Sequence, residues 1–572
     1  MAQSTVLKIF TERNFSIPHY QRDYAWNEKN LEDLWEDLLE AHENSNDAKG
    51  HFLGTIVTAP NPENQAIYDI IDGQQRSTTI FMLRFALNQK TENPDFNRNH
   101  FFDENNELRL QVARENKDFF RKIIDQAGKP KIDATLENEC KTKAQKNLFN
   151  VFKAILKHVS LKTSEEAKGL LKTLNTMIIL ELEEENPGRA IRLFQTVNDR
   201  GVDLGILDKL KALLILYSNK FCDGRLDEKI NENFGELFKT IEKISNSKVA
   251  SVLSNSAFEK EAEKRVFDYH ARCYRELGHF KYSADETYST LKAHLRSMKD
   301  EGGDIEAWLN DYSLDLLEFT KTFLRLIEET ETNIELFKLF FILKINPFLY
   351  PSLVRLKMNG ILDQECLRLI GQADIIFYKL DSTNDSRAYN LHQTVHNKEE
   401  FKRKIIQDSA SCAKGRHKYL KEALEAKINT SYEWLAFNYL FFTYYRQYID
   451  INDCWNILGD KKVFDFITQE HIVPQNADEN GTLDQYGFAN KTEFDNLKHT
   501  FGNLISLEKY LNSRASDNGP AKKREIYGDS KIPYNGVLAA SPDFLSFGKD
   551  QIIKRNEEVL KWLTEDFFAD FL

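Results

Sequence analysis

The stretch TQEHIVPQ (Thr468–Gln475), followed by KHTFGNL (Lys498–Leu504) and then by Leu511-Asn512, concentrates the polar chemistry of the sequence. Phosphodiester hydrolysis needs a base to activate water, a cation to stabilise the pentavalent phosphate and the leaving oxygen, and a group that orients the base. His471, at the end of a short apolar strand, is the candidate base. Glu470 points to the opposite face of that strand by alternation, and ligates a metal only if the chain turns there. Asn503 is placed to fix the loop and the imidazole, and Asn512, on a following helix, offers a carbonyl oxygen to the metal. Such oxygen ligands suit magnesium or manganese better than zinc. His499 is a candidate for a phosphate contact or for a structural hydrogen bond. Lys522, Lys523 and Arg524 form a basic run that can meet DNA phosphate or stay solvated.

A second constellation lies near the other end. DIIDGQQRSTT (Asp69–Thr79) joins an expected strand to an expected helix running through Leu83 and Leu87. Gly73 lets backbone approach a ligand closely, and the helix N-terminus near Arg76 presents N–H groups and a positive dipole to a phosphate. Arg76 adds a bidentate contact. The spacing of a Walker A loop is absent. Upstream, FSIPHYQRDYAW (Phe15–Trp26) sets Gln21 and Arg22 among aromatic faces on a proline-fixed segment. Such a segment can clamp a base or phosphate, or simply anchor the first helix.

Around these motifs the chain divides. Its 572 residues exceed one hydrophobic core, since single cores stop growing at roughly 250 to 300 residues. HFLGTIVT (His51–Thr58), IYDII (Ile67–Ile71) and TMIILEL (Thr176–Leu182) read as strands, being short and β-branched between turn residues. Leu31, Leu34, Trp35, Leu38 and Leu39 fall at helical spacing after Asn27, a cap, and Pro187 reads as a helix start. From about Asn219 to Asn429 helical periodicity is almost continuous, as a scaffold or a partner-binding layer would show. The expected fold class is α+β, predominantly helical, with domains at 1–218, 219–430 and 431–572.

A formal charge of −12 argues against a protein that coats nucleic acid non-specifically, but not against basic groups confined to one cleft. The six cysteines lie far apart with no C-x-x-C pair, so zinc is not expected. No apolar run approaches the roughly 20 residues that span a bilayer, and the start lacks a signal-peptide pattern; a cytoplasmic protein is expected.

Taken together, EHIVPQ, HxxGNL and Asn512 resemble the HNH nuclease half of the GmrSD family of modification-dependent (type IV) restriction enzymes, over roughly Phe464–Tyr527. IPxYQRxYxW, DGQQR and FQTVNDRGVDL (Phe194–Leu204) are similar to the other half, over about Met1–Ser218. The resemblance implies a ParB/sulfiredoxin-like N-terminal α/β domain, a helical middle and a C-terminal ββα-metal nuclease domain. It implies that His471 is the general base, Glu470 and Asn512 are metal ligands, and Asn503 is the middle Asn of the pattern. It further implies a nucleoside triphosphate site, with GTP, ATP, CTP and UTP all open. Gln21, Arg22, Asp72, Gly73, Gln74, Gln75 and Arg76 would form it, and Asn198, Arg200 and Gly201 would add a second wall. Asp72 would orient water or a metal in hydrolysis. The expected activity is nucleotide-regulated, metal-dependent cleavage of double-stranded, modified phage DNA by a homodimer, with no membrane partner. The rival expectation is a nucleotide-responsive ParB-like DNA-binding regulator with a non-catalytic HNH-like region.

Overall fold

A computed structural model describes residues 2–18, 21, 23–43, 52–61, 64–91, 95–112, 114–127, 132–184, 205–253, 258–274, 284–380, 391–416, 420–432, 434–459 and 467–572. The chain forms two compact units, Met1–Glu242 with Lys292–Leu317 and Lys243–Leu291 with Glu318–Leu572. The fold is α+β and predominantly helical, and the helical stretch 219–430 is divided between the two units.

The first unit is built on a six-stranded mixed sheet in the order β1-β6-β3-β4-β2-β5. Its strands are β1 (Ala2–Thr5), β2 (Asn14–Ser16), β3 (Phe52–Pro60), β4 (Ile67–Asp72), β5 (Leu110–Gln111) and β6 (Ile178–Glu183). β3, β4 and β6, the strands with apolar sequence signals, sit in the interior of the sheet. β3 runs antiparallel to β4 and parallel to β6, burying Ile56, Val57, Ile70, Ile71, Ile179 and Leu182. Helix α1 (Glu28–Glu43) buries Leu31, Leu34, Trp35 and Leu38, and Asn27 Oδ1 accepts the N–H of Lys29 at 3.0 Å, as a cap should. The helix after β4, α2 (Gln74–Lys90), is buried from Ser77 to Asn88 and is therefore the central helix of this core. It packs against α3 (Lys143–Ser160) and α4 (Ser164–Thr176). The expected helix start at Pro187 lies outside the described residues.

The second unit is mostly helical and carries one antiparallel hairpin, β7 (Ile467–His471) with β8 (Leu504–Glu508). Its other elements include α5 (Phe437–Tyr444), α6 (Lys509–Ala515), α7 (Pro520–Gly528) and α8 (Lys549–Trp562). α6 follows β8 directly and packs on both strands; α7 packs on α6, and α8 packs on the turn that leads into β8. No described helix is long and apolar enough to cross a membrane.

Candidate functional site

In β7, Glu470 faces Ile505 and His471 faces Leu504 across the ladder, so the strand continues through His471. Alternation then puts Thr468 and Glu470 on one face, Gln469 and His471 on the other. On the His471 face, its Nε2 lies 3.0 Å from Nδ1 of His499. Tyr432 stacks on the His499 ring at 5.1 Å and leans over the His471 ring at 4.9 Å. The Tyr432 N–H donates to the His499 carbonyl at 3.2 Å, and Gln469 Nε2 donates to the Trp434 carbonyl at 3.4 Å. Tyr432 and Trp434 are thereby strapped across this face, with Tyr432 36% exposed at its edge. Burial, then the fields of His499, Lys523 and Lys498, pull the His471 pKa down to about 3, so its imidazole is neutral at physiological pH.

The loop that carries His499 is held from several directions. Asn503, fully buried, donates its amide to the carbonyls of Val473 (3.1 Å) and Lys498 (2.8 Å) and accepts the Val473 N–H (2.8 Å). α8 contributes Asn556, whose Oδ1 takes the Gly502 N–H at 2.6 Å, and Arg555, which donates to the carbonyls of Gly502 and Leu504. A side chain at Gly502 would collide with the Ile552 carbonyl, so glycine is required by the closeness of α8.

The two expected metal ligands, Glu470 and Asn512, are both engaged by protein groups. Because β7 does not turn between 470 and 471, Glu470 stays on the opposite face. There its Oε1 receives the ammonium of Lys523 at 2.7 Å and the hydroxyl of Tyr527 at 3.0 Å. Asn512 anchors α6 to β7 by donating to Thr468 Oγ1 (2.8 Å) and the Gln469 carbonyl (3.0 Å). Glu470, His471 and Asn512 thus go to three different sets of partners. Among the described residues no group of three or more His, Cys, Asp or Glu comes together as metal ligands would. In this arrangement Glu470 Oε1 and the Asn512 amide nitrogen are taken by protein partners, not by a metal. The DNA contact expected of Lys523 is corrected, because its side chain is buried against Glu470. Lys522 pairs with Glu525 at 2.5 Å on the surface, and Arg524 is exposed.

At the start of α2, the glutamines work largely on the chain itself. Gln75 Oε1 accepts the N–H of Ala25 (2.7 Å) and Trp26 (3.3 Å), and its Nε2 donates to the Asp23 carbonyl (3.0 Å). Gln21 donates to the Ile71 carbonyl at 3.0 Å. Gly73 caps α2 with φ +84°, and a Cβ there would lie 2.8 Å from Ile56 Cγ2. Its lack of a side chain therefore serves the turn and the contact with β3. The Arg76 guanidinium lies over Gly54; burial lowers its pKa, against the pull of Asp72 and Asp37. Beside these residues a cavity of about 20 Å³ is lined by Ile17, Asp23, Tyr24, Gln74, Gln75 and Asn116, among others. The buried amide oxygens of Gln74 and Asn116 have no hydrogen-bond partner. The cavity takes about one water molecule and is far too small for a nucleotide. Arg22, Asn198, Arg200 and Gly201 lie outside the described residues.

Residues 6–215 match the family model for the GmrSD restriction endonuclease N-terminal domain, and residues 395–562 match that for the C-terminal domain of the same enzymes. The chain belongs to the GmrSD restriction endonucleases. A comparison with curated proteins finds no match. For a GmrSD restriction endonuclease the substrate is DNA, and the His471–His499 pair and the start of α2 both fall inside the matched domains. Sequence reasoning about this GmrSD chain missed Tyr432, Arg555 and Asn556. Each acts from an element remote in sequence from the loop it holds, and no local pattern marks it.

Proposed function

We propose that the His471–His499 pair hydrolyses phosphodiester bonds of double-stranded DNA, and that the N-terminal unit binds and hydrolyses a nucleoside triphosphate that controls the cut. The pair itself carries the proposal: two imidazoles in direct contact, one held neutral, in a loop pinned by Asn503, Arg555 and Asn556. With its proton on Nε2, His471 donates to His499 Nδ1, and its own Nδ1 keeps a lone pair for a water proton. The hydroxide so formed attacks phosphorus, the bond to the leaving sugar oxygen breaks, and that oxygen takes a proton from solvent. A bound phosphodiester raises the basicity of His471, because a nearby negative charge favours imidazolium. A divalent ion supplies charge neutralisation at phosphate when present; no step above depends on it.

For the nucleotide, the supporting observation is the meeting of the α2 N-terminus with the unpartnered amide oxygens of Gln74 and Asn116, in a motif that also carries Asp72 and Arg76. Binding requires the segment around Asp23 to open, since the cavity between them holds only water. The biological role we propose is restriction of phage DNA carrying modified bases, in the cytoplasm, by a homodimer in which each copy cuts one strand.

One observation favours a second reading. The engagement of Glu470 by Lys523 and Tyr527 is what a nucleotide-responsive DNA-binding regulator with a non-catalytic HNH-like region would also show. Nicking of supercoiled plasmid and of differently modified phage DNAs, with magnesium or manganese and each nucleoside triphosphate, separates the two. Cleavage by the wild type that His471→Ala abolishes is expected; equal inactivity of both across the panel would establish the regulator.

A further inference from the structure

We propose that Lys523 and Glu470 form a positioning clamp on the backbone of His471, so that Glu470 serves the cut without ligating metal. This goes deeper into the endonuclease reading above and rests on it.

Among the described residues, β7 pairs with β8 alone in a two-stranded sheet. In an antiparallel pair alternate residues turn their N–H and C=O away from the partner strand, and on an unpaired edge those groups are left to solvent. Here Ile472 donates its N–H across to the Asn503 carbonyl at 2.8 Å, while the His471 carbonyl receives the Lys523 ammonium instead. The same ammonium meets Glu470 Oε1, and the His471 N–H adds a favourable contact to that carboxylate. Both outward backbone groups of the candidate base are therefore answered by one buried ion pair. Lys523 and Tyr527 stand four apart on α7, which places them on one face of that helix, turned toward Glu470.

Stability alone is a poor reason to keep such a pair. Lys523 and Glu470 are 0% and 4% exposed, and removing two charges from water generally costs as much as their attraction returns. Burial raises the Glu470 pKa and lowers that of Lys523, each opposed by the partner. An apolar pair would pack there at no loss of stability, but would leave the His471 peptide unheld. With an ammonium and a phenol both on Oε1, that oxygen has little lone-pair capacity left for a metal.

The test uses the full chain with Glu470→Gln, Lys523→Met, Lys523→Arg and the double variant Glu470→Gln/Lys523→Met. It measures melting temperature, Mn²⁺ binding by calorimetry, and kcat and KM for plasmid nicking. Glu470→Gln and Lys523→Met should each lose roughly 10- to 100-fold in kcat with KM within about twofold, as orienting groups typically do. Lys523→Arg should recover part of the rate. Glu470→Gln should bind Mn²⁺ within about twofold of wild type. The double variant should regain melting temperature, since no lone charge stays buried, yet remain slow. A tenfold or greater loss of Mn²⁺ affinity in Glu470→Gln would make it a ligand and overturn the clamp. So would a double variant whose rate recovers along with its melting temperature, which would make the pair structural only. A wild type that cuts no DNA would instead sink the endonuclease reading on which the clamp depends.

Discussion

At the start of α2 the polar residues of the DGQQR motif turn back on their own chain, whereas around His471 the polar residues of distant elements turn toward one loop. Gln75 ties down residues 23–26, and Gly73 serves the turn from β4 into the helix. By contrast, Asn503, Arg555 and Asn556 converge on Lys498–Leu504 and leave His471 and His499 facing each other. One region is closed around a water-sized cavity; the other is rigidly built with its imidazole pair under a half-exposed tyrosine. The first region would have to open to admit a nucleotide, whereas the second holds its imidazole pair in place as it stands.

The largest expected effects attack that contrast directly. Arg76→Lys keeps the charge beside Asp72 and Asp37 but loses the planar fork, so nucleotide hydrolysis should fall by roughly 100-fold while the melting temperature barely moves. Retained hydrolysis in a phosphate-release assay would remove Arg76 from the pocket. His499→Phe keeps the stack on Tyr432 but removes the partner of His471 Nε2; kcat for nicking should fall roughly 10- to 100-fold, with KM for DNA unchanged. Asn503→Ala leaves the Val473 N–H and two carbonyls without their partner, and should destabilise the second unit by about 2 kcal/mol in a denaturant titration.

A pH titration sharpens the same point. His471 has its folded pKa depressed to about 3, so below its ordinary value the unfolded chain binds a proton that the folded chain does not. The resulting stability is fully present above about pH 6.5 and is lost as pH falls toward 3. His471→Phe should flatten that part of the stability curve. The smallest effect belongs to the exposed Lys522–Glu525 pair, whose removal should change stability by under about 0.5 kcal/mol.

How far the sequence reaches can be judged strand by strand. β3, β4 and β6 are legible because each is long enough for β-branched residues to dominate between turn signals, and α1 is legible from its apolar spacing after Asn27. β1, β2 and β5 have four, three and two residues, too few for any period to show. The short strand ending at His471 and the helix that carries Asn512 were readable from the sequence, whereas the pairing of β7 with β8 was not. Nor was the destination of Glu470, because its partner lies on α7, 53 residues away. KKR looked like a surface charge run, yet the four-residue step from Lys523 to Tyr527 marks a buried helical face once α7 is known. Gln75 shows a different limit: a motif names the residue but does not say whether its amide meets a ligand or its own backbone.

Chemical rescue bears most directly on the role of the imidazole at 471. His471→Gly should be folded and inactive in plasmid nicking, and added imidazole should restore cleavage in proportion to the concentration of its neutral form. Cleavage by the folded variant at the wild-type rate without imidazole would contradict the account.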